Sequence, residues 1–151
     1  MTTPEGREPH RMTVDARSTV AAVIEMWNGA TADGLEELLA PGYRGHSLGV
    51  RAGDRVAADY ARAIARFRTA NPGVAFRVID QFDAGDRWVT RLEATRPATR
   101  GNACSVSEGI NISRFDDEGR LAEEWAIWSP WLDAVSETSE RVIDVAVADA
   151  D

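Results

Sequence analysis

Four side chains in the middle of the chain could move a proton or hold an anion. His46 is the single histidine inside the predicted fold, and an imidazole accepts or donates a proton near neutral pH. Arg91 and Glu93 stand two residues apart on a predicted strand, so both side chains leave the same face. If this face lines a pocket, the two side chains could bind an oxygen anion. If it faces solvent, which we favour, they form an ordinary ion pair. Glu108 lies among small and apolar residues, where an inward position would raise its pKa and a rim position would not.

Aromatic residues that could pack on a flat ligand are concentrated in residues 104–131, which carry three of the five tryptophans. Residues 109–115 alternate apolar and polar side chains, and an acidic turn ending at Gly119 follows, so this stretch predicts a long β-hairpin. Alternation divides its second strand into two sets: Trp125, Ile127 and Ser129 on one face, and Glu124, Ala126 and Trp128 on the other. Because Glu123 and Glu124 are adjacent, at most one of them points inward.

Composition narrows the classes of function. The 151 residues carry a net charge of −8 with no basic stripe, which disfavours nucleic acid as a partner. No apolar run approaches the length of a membrane span, and the first residues lack the apolar core of a signal peptide, so we expect a cytoplasmic protein. A single cysteine, Cys104, excludes an internal disulfide framework. No metal-binding or nucleotide-binding motif occurs, so the sequence predicts no cofactor.

The elements that must position these residues follow in a simple order. Apolar spacing predicts helices over 13–27, 32–39 and 54–70, then strands over 74–79 and 87–95, and finally the hairpin. Helices that precede an antiparallel meander indicate an α+β fold, in which a strongly curved antiparallel sheet has its concave face covered by the helices. An apolar pocket would lie between the two layers. Residues 1–12 are expected to be a disordered tail, residues 13–133 one domain, and residues 134–151 an acidic tail.

Several segments together resemble the SnoaL-like polyketide cyclases, in the nuclear-transport-factor-like superfamily that also holds ketosteroid isomerase and limonene epoxide hydrolase. The resemblance covers roughly residues 14–133. Its segments are Trp27-Asn28, LLAPGYRGH at 38–46, RTANPG at 68–73, AGDRWVTR at 84–91, and residues 109–125 of the hairpin. It implies a cone-shaped barrel, often a homodimer, with no metal or organic cofactor.

The resemblance also has departures that bear on the reaction. The cyclases place an acid four residues after the hairpin tryptophan, where this chain has Ser129. A ring closure that needs little proton transfer, such as a pericyclic one, would fit that change. The epoxide hydrolases have an Arg-x-Asp pair that Arg91 and Glu93 resemble, but their second Asp corresponds here to Ile127. Residues 126–129 are similar to the closing strand of ketosteroid isomerase, which favours Trp128 as a pocket residue.

We therefore expect a cofactor-independent cyclase or isomerase acting on an apolar polyketide-type small molecule. His46, with Glu93 or Glu108, would move the proton, and Arg91 would orient the acid or bind an oxygen. The residues expected to contact substrate are Tyr43, Trp27, Tyr60, Trp88, Trp125, Ile127, Trp128 and Ser129. Epoxide hydrolysis or epoxide-opening cyclisation is one alternative, and a non-catalytic binding or dimerisation module is another.

Overall fold

Two helices open the computed structural model, which describes residues 14–47, 55–98 and 103–134, and the third helix follows the first two strands. The predicted order, with all three helices before the strands, is therefore wrong. The helices are α1 (Val14–Trp27), α2 (Leu35–Leu38) and α3 (Ala57–Ala70). The predicted C-terminal ends of the first and third helices are confirmed, whereas the predicted start of the third at residue 54 is wrong, because Arg55–Val56 form a strand. The second is a single turn, because the backbone at Leu39 is already extended and starts a strand. The predicted tail at 1–12 lies outside the described residues, as does the predicted tail at 134–151 except for Ala134, which ends a strand.

Seven strands make one sheet. They are β1 (Leu39–Ser47), β2 (Arg55–Val56), β3 (Ala75–Asp83), β4 (Trp88–Pro97), β5 (Cys104–Phe115), β6 (Leu121–Trp128) and β7 (Leu132–Ala134). Their order is β2-β1-β6-β5-β4-β3, and the short β7 pairs with β5. The predicted hairpin is the β5–β6 pair at the centre. Its turn is closed by Asp116, whose carboxylate accepts bonds from the backbone N–H groups of Glu118 and Arg120 at 3.0 and 2.9 Å.

The α+β class is confirmed, whereas two details of the predicted sheet are wrong. β1 runs parallel to β6, so the sheet is mixed rather than antiparallel throughout. The described strands also leave two free edges, β2 and β3, and therefore do not close into a barrel. The Pro41-Gly42 break, which suggests the end of a helix in the sequence, falls inside β1. It is accommodated because the β1–β6 register shifts between Leu39 and Arg44, where regular pairing is interrupted.

The helices pack against one face of the sheet, called here the inner face. A core cluster joins α1, α2, α3, β1 and β6; it contains Val23, Met26, Leu35, Leu39, Tyr43, Tyr60, Ile64 and Leu121. The opposite, outer face leaves large apolar side chains exposed in the centre of the sheet, including Ile110, Ile112 and Ile127. Because successive strand residues alternate between the two faces, the identity of the covered face decides the surroundings of each side chain.

Candidate functional site

A cavity of about 400 Å³ lies between helices α1 and α3 and the inner face of the sheet. This volume suits a small organic ligand. Its wall is largely aromatic, with Trp27 from α1, Tyr60 and Phe67 from α3, Phe76 from β3, and Trp128 from β6. Polar side chains interrupt the apolar lining at a few positions on the sheet floor: Thr90, Ser107, Asn111, Ser113, Glu124 and Ser129.

Trp27 is the centre of the aromatic wall. Its ring meets Tyr60, Phe67 and Phe76 edge to face, with centroids 5.6 to 6.0 Å apart. The indole Nε1 donates a hydrogen bond to the Tyr60 hydroxyl at 3.1 Å. Since that bond uses an acceptor position of the hydroxyl, Tyr60 keeps its own proton to donate to a ligand.

Trp128 forms part of the floor because Gly109 lets its indole approach the neighbouring strand. The two residues are cross-strand partners on β5 and β6. A Cβ placed on Gly109 would overlap the Trp128 ring. The indole then meets Phe76 edge to face at 5.6 Å, which connects the floor to the aromatic wall.

Glu124 is the ionisable carboxyl group that lines the cavity. Its residue is 9% exposed, and no described residue donates a hydrogen bond to it. Burial raises the pKa of this carboxyl to about 7, from an ordinary value of 4.5, although the positive charge of Arg55 acts in the opposite direction. A carboxyl with such a pKa is present both as acid and as base near neutrality, as proton-transfer catalysis requires.

Arg55, at the start of β2, supplies a positive charge to the same cavity. Its guanidinium lies over the rings of Trp27 and Tyr60, at 5.5 and 5.2 Å from their centroids. Burial raises the pKa of the Tyr60 hydroxyl far above its usual range, so this group acts only as a neutral donor. Glu124, Tyr60 and Arg55 thus combine a proton acceptor, a hydroxyl donor and a cation beside one apolar cavity.

Residues 20–124 of the chain match the SnoaL-like domain family. The chain belongs to this SnoaL-like family. None of the curated protein sequences compared with it matches. Several solved structures are similar to this SnoaL-like protein at identities below 25%, and at that level they show the shared fold alone.

Three of these structures illustrate the range of that fold. IdmH from Streptomyces antibioticus, provisionally assigned as a polyketide cyclase, is 23% identical over 76% of this chain and 91% of its own, with a TM-score of 0.66. A protein from Acidithiobacillus ferrooxidans with the same provisional assignment is 20% identical over 79% and 92%, with a TM-score of 0.65. A steroid delta-isomerase from Pseudomonas aeruginosa is 21% identical over 80% and 83%, with a TM-score of 0.58.

Four of the predicted substrate contacts of this SnoaL-like protein line the cavity: Trp27, Tyr60, Trp128 and Ser129. On β6 the cavity-facing set is therefore Glu124, Ala126 and Trp128, the set that the isomerase-like segment favours. Trp125 and Ile127 alternate with this set and lie on the outer face. Tyr43 and Trp88 are buried in the packed interior beside the cavity and do not line it.

The four predicted catalytic residues lie away from this cavity. On the outer face, His46 pairs with Glu123 at 2.9 Å and stacks on Trp125, with ring centroids 5.4 Å apart. Glu93 accepts a bond from Arg77 at 2.9 Å, also on the outer side of the sheet. Arg91 and Glu108 are exposed. Strand alternation explains these positions, because each of these residues alternates with inner-face neighbours.

Ser129, which stands where the cyclases carry their acid, has its hydroxyl engaged. The oxygen accepts a hydrogen bond from the Glu108 backbone N–H at 3.0 Å and can donate to the carbonyl of Pro130 at 3.1 Å. Ser107 donates to the Ser129 carbonyl at 2.7 Å. The bonds with Ser107 and Glu108 tie the residue that follows β6 to β5.

The sequence predicted neither Arg55 nor Glu124 as a site residue, although both line the cavity. Of the two, Glu124 could have been found. Its signal was present, since it lies four residues before Trp128 on one strand and therefore on the same face. The alternation predicted that one of Glu123 and Glu124 could point inward, but not which one.

Among the described residues no group of three or more His, Cys, Asp or Glu side chains could hold a metal ion, and no helix is long and apolar enough to cross a membrane.

Proposed function

We propose that this protein is a cofactor-independent cyclase or isomerase that acts on a mostly apolar, polyketide-type ketone, with Glu124 moving the proton. The observation that carries the proposal is the position of Glu124. This carboxyl is buried in an aromatic cavity, has no hydrogen-bond partner among the described residues, and has a pKa of about 7. Burying such a group lowers the free energy of unfolding, and a role in proton transfer explains why the site contains it.

The proposed step starts with a ketone held over the sheet floor. The Glu124 carboxylate removes a proton from the carbon next to the carbonyl, and the electron pair of that C–H bond forms an enolate. The Tyr60 hydroxyl and the Arg55 guanidinium stabilise the negative charge that develops on the enolate oxygen. In a cyclase the enolate carbon then attacks a second carbonyl carbon, and the new alkoxide takes the proton back from Glu124. In an isomerase the proton returns to a different carbon.

The aromatic wall contributes orientation. Trp27, Phe76 and Trp128 form edge-to-face contacts that hold the rings in place, so a flat ligand would meet a preformed slot. Holding two reacting carbons together in one conformer can supply a large part of the rate of a ring closure. If that contribution were sufficient alone, the closure would be pericyclic and independent of Glu124.

Glu124→Gln separates these mechanisms. The test measures deuterium incorporation from D2O into the acidic C–H positions of 2-tetralone, an apolar bicyclic ketone, by NMR. We expect wild-type protein to catalyse this exchange and Glu124→Gln to lower the rate by about 100-fold or more, the usual contribution of a positioned base. Glu123→Gln is the matched control, one residue away and on the outer face, and should leave the exchange unchanged.

Exchange that survives in Glu124→Gln would refute the assignment of Glu124. A wild-type protein that binds the ketone without exchanging its protons would also contradict the acid–base mechanism. That second result would favour ring closure driven by the shape of the cavity, or a module that binds its ligand and returns it unchanged.

A further inference from the structure

A buried hydroxyl beside the cavity has no partner. Tyr43, on β1, is 1% exposed, and its Oη makes no hydrogen bond to any described residue. Its ring packs edge to face on Tyr60, with centroids 5.3 Å apart. A buried hydroxyl without a partner is costly, and phenylalanine would fill the same space without that cost. We therefore expect another state of the site to supply a hydrogen-bond partner for the Tyr43 hydroxyl.

Gly45 shows where this hydroxyl lies. A Cβ built on Gly45 would overlap the Tyr43 Oη, so the hydroxyl occupies the space that a side chain at position 45 would take. Gly45 is the cross-strand partner of Glu124 in the parallel β1–β6 pair. Paired residues on neighbouring strands lie about 5 Å apart and project to the same face. The Tyr43 hydroxyl therefore lies beside the base of the Glu124 side chain, within reach of a rotation of its carboxyl group.

We propose that Tyr43 is the positioning residue of Glu124: its hydroxyl donates a hydrogen bond to the Glu124 carboxylate whenever that group is ionised. This inference rests on the proposed function, in which Glu124 alternates between acid and carboxylate. In the structure the carboxyl lines the cavity and the Tyr43 hydroxyl makes no hydrogen bond to a described residue, and we assign this arrangement to the neutral carboxyl. In the ionised state the hydroxyl gives the carboxylate a partner where water is excluded.

The surrounding groups are consistent with a donor role. Burial, followed by the charge of Glu124, raises the pKa of the Tyr43 hydroxyl far above its usual range, so it keeps its proton. From β2, the Arg55 guanidinium lowers the pKa of Glu124 by its charge, and that of Tyr43 by its charge and by the approach of its N–H groups to the hydroxyl oxygen. Because a guanidinium only donates, this approach leaves the Tyr43 proton without an acceptor. From α3, Tyr60 presents a second neutral hydroxyl. From α1, the cation Arg17 packs on the Trp88 ring at 5.5 Å.

The test measures the stability of Tyr43→Phe against wild type by urea unfolding from about pH 5 to about pH 9, and repeats the comparison in a Glu124→Gln background. A hydrogen bond to the carboxylate favours the ionised form and so lowers the pKa of Glu124. Its removal should move the Glu124 midpoint upward by about one pH unit. We expect Tyr43→Phe to lose stability relative to wild type as pH rises through 7, and we expect no pH dependence of that difference in Glu124→Gln.

A difference between Tyr43→Phe and wild type that does not vary with pH would mean a purely structural tyrosine and would overturn the inference. Gly45→Ala provides a second variant, because its methyl group displaces the hydroxyl while the phenol remains; it should give the same pH dependence. Neither measurement uses turnover. Failure of the positioning role would therefore leave the exchange assay with Glu124→Gln standing, and loss of the proposed function would leave this pH comparison interpretable.

Discussion

Glu124→Gln should make the folded protein more stable at neutral and alkaline pH. The glutamine keeps the shape of the carboxyl but cannot ionise. The pKa of Glu124 is about 7 in the folded chain, against an ordinary value of 4.5 that we take for the unfolded chain. At about 1.4 kcal/mol for each pKa unit, ionisation of Glu124 lowers the free energy of unfolding by about 3 kcal/mol. That is a large share of the about 5–15 kcal/mol that stabilises a typical domain.

The pH window follows from the direction of this pKa change. A carboxyl whose pKa is raised on folding stabilises the folded state fully below the unfolded value of 4.5, and that contribution is lost as pH rises to about 7. Wild type and Glu124→Gln should therefore unfold at similar urea concentrations near pH 4. The free energy of unfolding of the variant should rise relative to that of wild type between about pH 4.5 and 7, and the difference should stay constant at higher pH. Tryptophan fluorescence in urea titrations measures the difference at each pH.

Glu123→Gln is the control with the opposite sign. A hydrogen bond from His46, followed by contacts from Arg114, lowers the pKa of the Glu123 carboxyl. Its contribution to stability is present above the ordinary value of 4.5 and is lost as pH falls through the lowered value, so Glu123→Gln should be less stable than wild type at neutral pH. A gap between Glu124→Gln and wild type that stayed flat from pH 4 to 8 would refute the burial of an ionisable Glu124.

Two further predictions concern the two faces of the sheet. Gly109→Ala would push its methyl group into the Trp128 indole and should destabilise the protein by about 1–3 kcal/mol in urea unfolding, whereas Gly42→Ala, where a Cβ meets nothing within 4 Å, should be close to neutral. We propose that the exposed apolar outer face around Ile110 and Ile127 pairs with a second copy of the chain. Ile127→Lys should then convert a dimer to a monomer in light scattering, and a monomeric wild type would contradict the pairing.

The local patterns of the sequence were sufficient for several elements. The 3.6-residue spacing of apolar side chains in α1, together with Asn28-Gly29 after it, predicts that helix and its end, since both signals act within a few residues of the backbone. The β5–β6 hairpin follows from alternation and from the turn that Asp116 closes. The α+β class and the family follow from the order of such elements. Contacts between distant segments do not enter any of these predictions.

The parallel pairing of β1 with β6 could not be read locally. It joins residues about 80 positions apart, and the Pro41-Gly42 signal in β1 indicates the end of a helix when it is read alone. The proposed positioning of Glu124 by Tyr43 depends on that pairing, because it brings Gly45, over which the Tyr43 hydroxyl lies, opposite Glu124.

The sequence by itself predicted that β6 has two faces, one with Glu124, Ala126 and Trp128 and the other with Trp125, Ile127 and Ser129. The last of these is wrong, because β6 ends at Trp128 and Ser129 lines the cavity. The sequence did not determine which face is covered, because a period of two residues is symmetric between the two sides of a sheet. Only the tertiary structure decided that, by packing α1 and α3 against the first set. The same packing left His46 paired with Glu123 on the outer face and enclosed Glu124 among aromatic rings, where removal from water changes its pKa.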